Sequence, residues 1–137
     1  MKKLLSAWSL LMAMTIAMLT LSGCGQQYGT VQGTVTRAQD PNKPLDDPSN
    51  VGTGIAQAEI IVFALEKFQD IKGLDVFKRG AIVQRTETDA TGAFSLSLFK
   101  GEYMIEAVVE HVVADSRQIK VKGGQTIDLS FNVSTAP

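Results

Sequence analysis

Two residue types that often carry chemistry occur once each in this chain of 137 residues, as Cys24 and His111. Nucleophilic catalysis needs a nucleophile beside a base, and a zinc site needs several His, Cys or carboxylate ligands around one ion. His111 falls near an expected turn between two strands, where we interpret it as a solvent-exposed turn residue. The sequence therefore predicts no catalytic residue, no cofactor and no enzymatic activity.

Hard oxygen ligands gather in one segment of the chain. Asp40, Asp46 and Asp47, with the nearby Asn42 and Asn50, are of the kind that binds calcium. Their spacing does not match an EF-hand loop, and three prolines in the segment favour a polar loop of ordinary turn-forming residues. The polar loop is the main interpretation, and calcium binding is the alternative.

The charge of the chain is almost balanced. It has 13 Lys and Arg against 14 Asp and Glu, for a formal net charge of −1. This excludes the strong basic field of a dedicated nucleic-acid-binding protein. The length leaves room for one small domain.

Residues 1–23 have the plan of an export signal. Lys2 and Lys3 are followed by an apolar stretch from Leu4 to Leu21, which predicts a signal helix. At about 18 residues the stretch is also near the lower limit for a membrane-spanning helix. An uncleaved membrane anchor is therefore the alternative.

The end of this stretch reads Leu21, Ser22, Gly23 and Cys24, which resembles the lipobox of bacterial lipoproteins. The resemblance implies that the signal is removed before Cys24 and that this residue carries acyl chains such as palmitate. Two or three acyl chains hold a protein durably in a membrane, which one chain does not. Because Gly25 stands where retention in the inner membrane would use Asp, the resemblance implies an outer-membrane protein that faces the periplasm or the cell surface.

From Tyr28 onward apolar residues recur at every second position, the period of half-buried β-strands. Phe94, Leu96 and Leu98, for example, alternate with serines. Short glycine-containing links between such segments indicate antiparallel neighbours, whose apolar faces pack together in a two-sheet sandwich. The pattern predicts an all-β fold of seven antiparallel strands, at residues 28–37, 58–65, 81–88, 93–99, 102–110, 116–122 and 126–133.

The segment Thr88 to Phe94, followed by Gly101, Glu102 and Tyr103, resembles the carboxypeptidase regulatory-like domains. The resemblance covers nearly all of the chain after the signal and implies a transthyretin-like, immunoglobulin-like (Ig-like) β-sandwich of seven strands. The organisation that follows is a lipoprotein signal (residues 1–23), a lipidated cysteine with a short tether (24–27) and the sandwich domain (28–135).

The most specific residues of that segment have structural roles by their chemistry alone. We expect Asp89 to accept backbone N–H bonds inside its turn and Gly92 to supply a positive φ angle. Gly101 lies in the next turn, and Phe94 and Tyr103 place large rings in the core from adjoining strands.

Two long connections depart from the compact family pattern, at residues 38–54 and 66–80. The second carries Phe68, Ile71, Leu74 and Phe77. We expect these residues to fold back, with a short helix over residues 68–72 that Gly73 ends, and to cover the outward apolar residues of the second strand. The alternative is an exposed docking loop.

Three residues separate Cys24 from the first strand, a tether of roughly 10 Å. If strands alternate in direction, residues 38–54 lie at the pole far from the membrane and residues 66–80 at the near pole. There the second connection could touch the membrane surface or a membrane-protein partner. The leading prediction is a non-enzymatic, lipid-anchored interaction or accessory module of the bacterial envelope, and the alternative is a lipoprotein that binds a small ligand or carbohydrate.

Overall fold

A computed structural model describes residues 26–134, with the backbone alone at residues 69–71. The predicted signal helix and the residues around Cys24 lie outside the described residues. In residues 26–134 no helix is both long and apolar enough to cross a bilayer. This part contains nine strands and one 3-10 turn at Pro48–Asn50: β1 (Tyr28–Ala38), β2 (Val51–Gly54), β3 (Glu59–Ile71), β4 (Leu74–Glu87), β5 (Ala93–Phe99), β6 (Gly101–Val109), β7 (Val112–Val121), β8 (Thr126–Asp128) and β9 (Phe131–Val133).

The strands form two sheets that face each other. In the first sheet β1 is central, with β5 and then β2 along one edge and β8 and then β9 along the other. The second sheet has the order β4-β3-β6-β7, with antiparallel neighbours throughout. The predicted all-β sandwich is confirmed. It differs from the fully antiparallel expectation because β8 and β9 pair with β1 in parallel.

Alternating side chains of both sheets form one core. Val31 and Val35 of β1 and Phe131 of β9 are completely buried, as are Ile60 and Ile105 of the opposite sheet. Burial of each such side chain contributes roughly 1.5 to 3 kcal/mol. The buried residues are therefore those that the period-two alternation of the sequence predicts to face the core.

The last predicted strand, residues 126–133, is interrupted at Leu129 and Ser130. The Leu129 N–H donates to the carbonyl of Gln32 at 2.8 Å. The Leu129 carbonyl lies so close to Gly33 that a Cβ atom there would be 1.8 Å from its oxygen. β8 and β9 are thus two halves of one edge strand, separated where the backbone passes tightly over Gly33.

The predicted helix over residues 68–72 is wrong. β3 and β4 stay paired out to Ile71 and Leu74. Lys72 (φ 50°) and Gly73 (φ 81°) join them in a two-residue turn with positive φ at both positions, which is the turn that matches the twist of paired strands. The second long connection is therefore a continuation of two strands, and the predicted strands 58–65 and 81–88 are too short.

Candidate interaction surfaces

The turn that joins β4 to β5 is organised by Asp89. Its Oδ1 accepts hydrogen bonds from the Thr91 N–H (2.8 Å), the Thr91 hydroxyl (2.6 Å) and the Ala93 N–H (3.0 Å). Gly92 has φ 82°, and a Cβ atom there would be 2.6 Å from the Val35 carbonyl oxygen. The carboxylate is therefore used inside the turn, which is a structural role.

We expect Asp89→Asn to reduce the stability of the protein at neutral pH by a few degrees in melting temperature. The hydrogen bonds from the Thr91 hydroxyl and from the backbone of Ala93 and Thr91 hold the pKa of Asp89 below its usual value of 3.8. A lowered pKa in the folded state stabilises the protein above the unfolded pKa, and that stability is lost as pH falls through the folded pKa. Melting temperatures between pH 7 and pH 2 should therefore fall less steeply in the variant.

Asp47→Asn is the matched comparison, because hydrogen bonds from Ser49 lower the pKa of the Asp47 carboxyl in the same way. Equal pH profiles for Asp89→Asn and the unaltered protein would contradict the role of the Asp89 charge.

Phe94 and Tyr103 both enter the core, with 6% and 9% of their surface exposed. The Tyr103 hydroxyl donates to the Phe99 carbonyl at 2.5 Å, across the turn that contains Gly101. Burial raises the pKa of Tyr103. The hydroxyl thus ties the β5–β6 turn to the sandwich and is not presented to a ligand.

Two of the three aspartates of the calcium hypothesis, Asp40 and Asp47, bond within their own turns. Asp40 Oδ1 accepts the Asn42 N–H at 2.9 Å, and Asp47 Oδ1 accepts the N–H and the hydroxyl of Ser49. Across residues 26–134 no three His, Cys, Asp or Glu side chains are grouped so that they could hold an ion. The Asp40 and Asp47 carboxylates therefore stabilise local turns.

Asn50 organises this loop, a role that the sequence analysis missed. Its side chain is completely buried. Nδ2 donates to the carbonyls of Asp40, Lys43 and Pro44 at 3.1 to 3.2 Å, and Oδ1 accepts the Asp40 N–H at 2.8 Å. One amide therefore holds both ends of the loop, as no carboxylate could, because a carboxylate has no hydrogen to donate.

The outward face of β3 is covered differently from the expectation. Ile61, Phe63 and Leu65 are half-buried. The Arg79 guanidinium lies 4.5 Å from the centre of the Phe63 ring and binds Glu106, whose side chain is only 7% exposed. A cation–π contact and an ion pair, rather than a folded-back helix, therefore cover this part of the face.

Two of the three most exposed large apolar residues in the described part of the chain lie on the β3–β4 hairpin, and the third, Val112, begins β7. β3 pairs with β6 from Glu59 to Ala64 and continues past it with β4, so that residues 65–79 form a projection that we call the hairpin extension. Phe68 is 65% exposed and Leu74 71% exposed, whereas Phe77 is partly buried. Ile71 is the last residue of β3, and its side chain is outside the described atoms. An exposed apolar tip of this kind is typical of an interaction site.

The two ends of the sandwich can be defined by their turns. At the N-terminal pole β1 begins, and Tyr28 pairs with Phe99; because β3 runs toward the start of β6, the hairpin extension projects from this pole. At the opposite pole lie the loop organised by Asn50 and the β6–β7 turn. The two long connections thus lie at opposite ends, as expected from alternating strand directions.

The opposite pole holds a cleft of about 350 Å³. Its polar side chains include Arg37, Glu87, Glu110 and His111, and Gln57 forms part of its wall. The φ angles of Gln57, Glu110 and His111 are 58°, 53° and 67°. Glu110 and His111 form the two-residue turn between β6 and β7, in which positive φ at both positions matches the twist of paired strands.

Comparison with known proteins shows likeness at the level of the fold. No family model matches the chain, and no curated protein matches it. The structure is similar to the TIE protein of Bacillus anthracis, with a TM-score of 0.52 and 17% identity over 78% of this chain and 17% of that one. It is also similar to GBS52, the minor pilin of Streptococcus agalactiae, with a TM-score of 0.50 and 13% identity over 82% of this chain and 47% of that one.

The chain has an Ig-like β-sandwich fold. It spans less than half the length of each of these two proteins, and at this identity the likeness extends to the fold alone. In such sandwiches function resides mostly in segments carried at the two ends of a rigid core. In this Ig-like sandwich the hairpin extension lies at one end of the core and the cleft lies at the other.

Proposed function

We propose that this chain is a bacterial lipoprotein whose Ig-like sandwich, of the carboxypeptidase regulatory-like type, is a non-enzymatic interaction or accessory module of the cell envelope. Cys24 carries the acyl chains, and residues 1–23 are the signal that is removed. The protein is attached to the outer membrane and faces the periplasm or the cell surface. Its interaction partner is an envelope protein or the membrane itself, and nucleic acid is not a partner.

The observation that supports an interaction role is the hairpin extension. The projecting hairpin exposes Phe68 and Leu74. Exposed apolar surface favours aggregation unless a partner covers it, which supports a contact between this hairpin and another molecule. The lipobox pattern supports the anchor. β1 begins at Tyr28, four positions after Cys24, so the sandwich is complete without the signal.

The anchor is tested by labelling cells with palmitate and isolating the protein. We expect label on the unaltered chain and none on Cys24→Ser, which should also leave the membrane fraction or keep its signal. Label that persists in Cys24→Ser would contradict the lipobox assignment. Cleavage is checked on the same samples by mass spectrometry of the N-terminal peptide.

The interaction role is tested by crosslinking in cells, with a photoreactive residue at Leu74 of the hairpin extension or at Leu45 of the loop at the opposite pole. Both side chains are exposed, so Leu45 is a matched control for random capture. A reproducible crosslink at position 74, to an envelope protein or to membrane lipid, and none at position 45 is the expected result. Identical capture at both positions would contradict a dedicated working face.

The cleft favours a second candidate function, the binding of a small polar ligand or a carbohydrate. It combines Arg37 with three carboxylates, at Glu59, Glu87 and Glu110. Arg37 lies 4.0 Å from Glu110, and Arg85 lies 2.8 Å from Glu59. A calorimetric titration with amines and oligosaccharides tests this function, with Glu87→Ala as the variant that should lose binding. Equal heats for both proteins would count against the cleft.

A further inference from the structure

The N-terminal pole of the sandwich brings together residue types that are typical of a membrane interface. Tyr28 and Phe99 are 59% and 48% exposed, and their rings meet edge to face at 5.5 Å. Phe68 and Leu74 of the hairpin extension project from the same pole. The Tyr28 ring, with an apolar body and a polar hydroxyl, is of the kind that favours the headgroup region of a bilayer.

Charge is divided between the two poles, although the net charge of the chain is small. Exposed lysines lie at the N-terminal pole: Lys72 at the hairpin turn, Lys100 between β5 and β6, and Lys122 after β7. Acidic residues predominate at the opposite pole, namely Asp40, Asp46, Asp47, Glu87, Asp89 and Glu110. The opposite pole is therefore acidic even with Arg37 and Lys43 counted, whereas the N-terminal pole, where Glu102 lies beside Lys100 and Lys122, has a small positive excess.

Length decides what the hairpin extension meets. From Ala64 to Ile71 it runs seven residues, roughly 23 Å at the rise of a β-strand. The tether from Cys24 to Tyr28 has three intervening residues and spans roughly 10 Å. In a domain that stands upright on a tether of this length, the longer projection reaches the bilayer surface.

We propose that the N-terminal pole docks on the bilayer surface, with Phe68 and Leu74 in the headgroup region and with Lys72, Lys100 and Lys122 on anionic lipid headgroups. This rests on the proposed lipid anchor and deepens it, because the anchor then fixes the orientation of the domain as well as its location. The acidic opposite pole, with its cleft, faces away from the membrane. Salt bridges within the hairpin, such as Lys67 with Asp75 at 2.5 Å, leave its paired strands nearly neutral, so the attraction comes from the turn lysines.

The test places a single tryptophan at the tip. The chain has one tryptophan, Trp8, which lies in the signal that the proposed cleavage removes, so Phe68→Trp and the control Leu45→Trp each give a mature protein with a single tryptophan. Each membrane-purified protein is placed in phosphatidylcholine vesicles, with and without phosphatidylglycerol, and quenched by brominated lipids. We expect emission from position 68 to be quenched several-fold more than from position 45, and more strongly when phosphatidylglycerol is present.

Flotation of the same samples separates this proposal from the anchor. If the protein floats with vesicles but positions 68 and 45 are quenched equally, docking is wrong and the anchor stands. If Cys24→Ser without residues 1–23 floats as well as the unaltered protein, lipidation is not what holds it, whereas quenching at position 68 in that variant still supports docking. Shielding of position 68 in cell membranes but not in pure lipid would indicate a membrane protein as the occupant and overturn the lipid proposal.

The charge contribution has its own matched pair of variants. Lys122→Glu at the N-terminal pole should weaken the partitioning of Cys24→Ser onto anionic vesicles by at least about fivefold, since one lysine near an anionic surface contributes about that factor. Lys43→Glu at the opposite pole should leave partitioning unchanged. Equal effects of the two substitutions would overturn the electrostatic part of the proposal.

Discussion

Gly33→Ala should destabilise the protein by about 3 kcal/mol or more and lower its melting temperature by roughly 10 °C or more. A Cβ atom at this position would be 1.8 Å from the Leu129 carbonyl oxygen and 2.5 Å from its carbon. The neighbour is backbone, so no side-chain rotation relieves the contact. Either β1 or the segment between β8 and β9 must move, and both carry completely buried core residues, Val31 and Val35 on β1 and Phe131 on β9.

Gly101→Ala is the control. Gly101 also lies in a strand, and the nearest atom to its added Cβ, the Tyr103 hydroxyl oxygen, would be 3.5 Å away in ordinary contact. Thermal unfolding followed by circular dichroism should therefore separate the two variants clearly. Similar melting temperatures for both would mean that the β8–β9 interruption does not pass over Gly33 as described.

Asn50→Ala should cost about 2 to 4 kcal/mol and release the loop between β1 and β2. The substitution leaves the Asp40 N–H and three carbonyls without the amide that now bonds to them, and each buried polar group without a partner costs about 1 to 3 kcal/mol. The measurements are thermal stability and the rate of proteolysis within residues 40–49. We expect a lower melting temperature and rapid cleavage in the loop.

Asn42→Ala provides the comparison in the same loop. Asn42 is exposed, and its bond to Asp40 is made by its backbone N–H, which alanine retains. A loop that is cleaved equally in both variants would contradict the role of Asn50. Addition of calcium should protect neither variant, in keeping with the separate use of the Asp40 and Asp47 carboxylates.

Much of the sandwich could be predicted from the sequence, because its core strands alternate strictly between one dry and one wet face. β5 shows this best: Phe94, Leu96 and Leu98 are buried and the intervening serines are exposed. Period two is a direct consequence of strand geometry, so these boundaries agree closely. The interruption between β8 and β9 could not be seen this way, since Leu129 and Phe131 keep the alternation while the backbone between them leaves the ladder.

The hairpin extension was harder to predict because few of its side chains pack on the core, so no burial pattern marks its strands. Lys72 and Gly73 resemble the end of a helix as much as a tight turn, since both use a positive φ angle at glycine. The ion pair between Arg79 and Glu106 joins β4 to β6 across β3, and Asn50 acts through loop carbonyls. Contacts of this kind depend on the tertiary fold, which composition and spacing do not specify.

The pairing of β1 with β8 and β9 affects how the chain reaches its native state. β1, the first strand of residues 26–134, lies in the middle of its sheet, and one of its edges is closed only by residues 126–133. That sheet cannot be completed until nearly the whole chain is available, and such distant pairings fold slowly because a long loop must close first. A chain exported as proposed would therefore remain incompletely folded for most of its synthesis and of its passage across the membrane. Its first sheet closes only when β8 and β9 have also crossed.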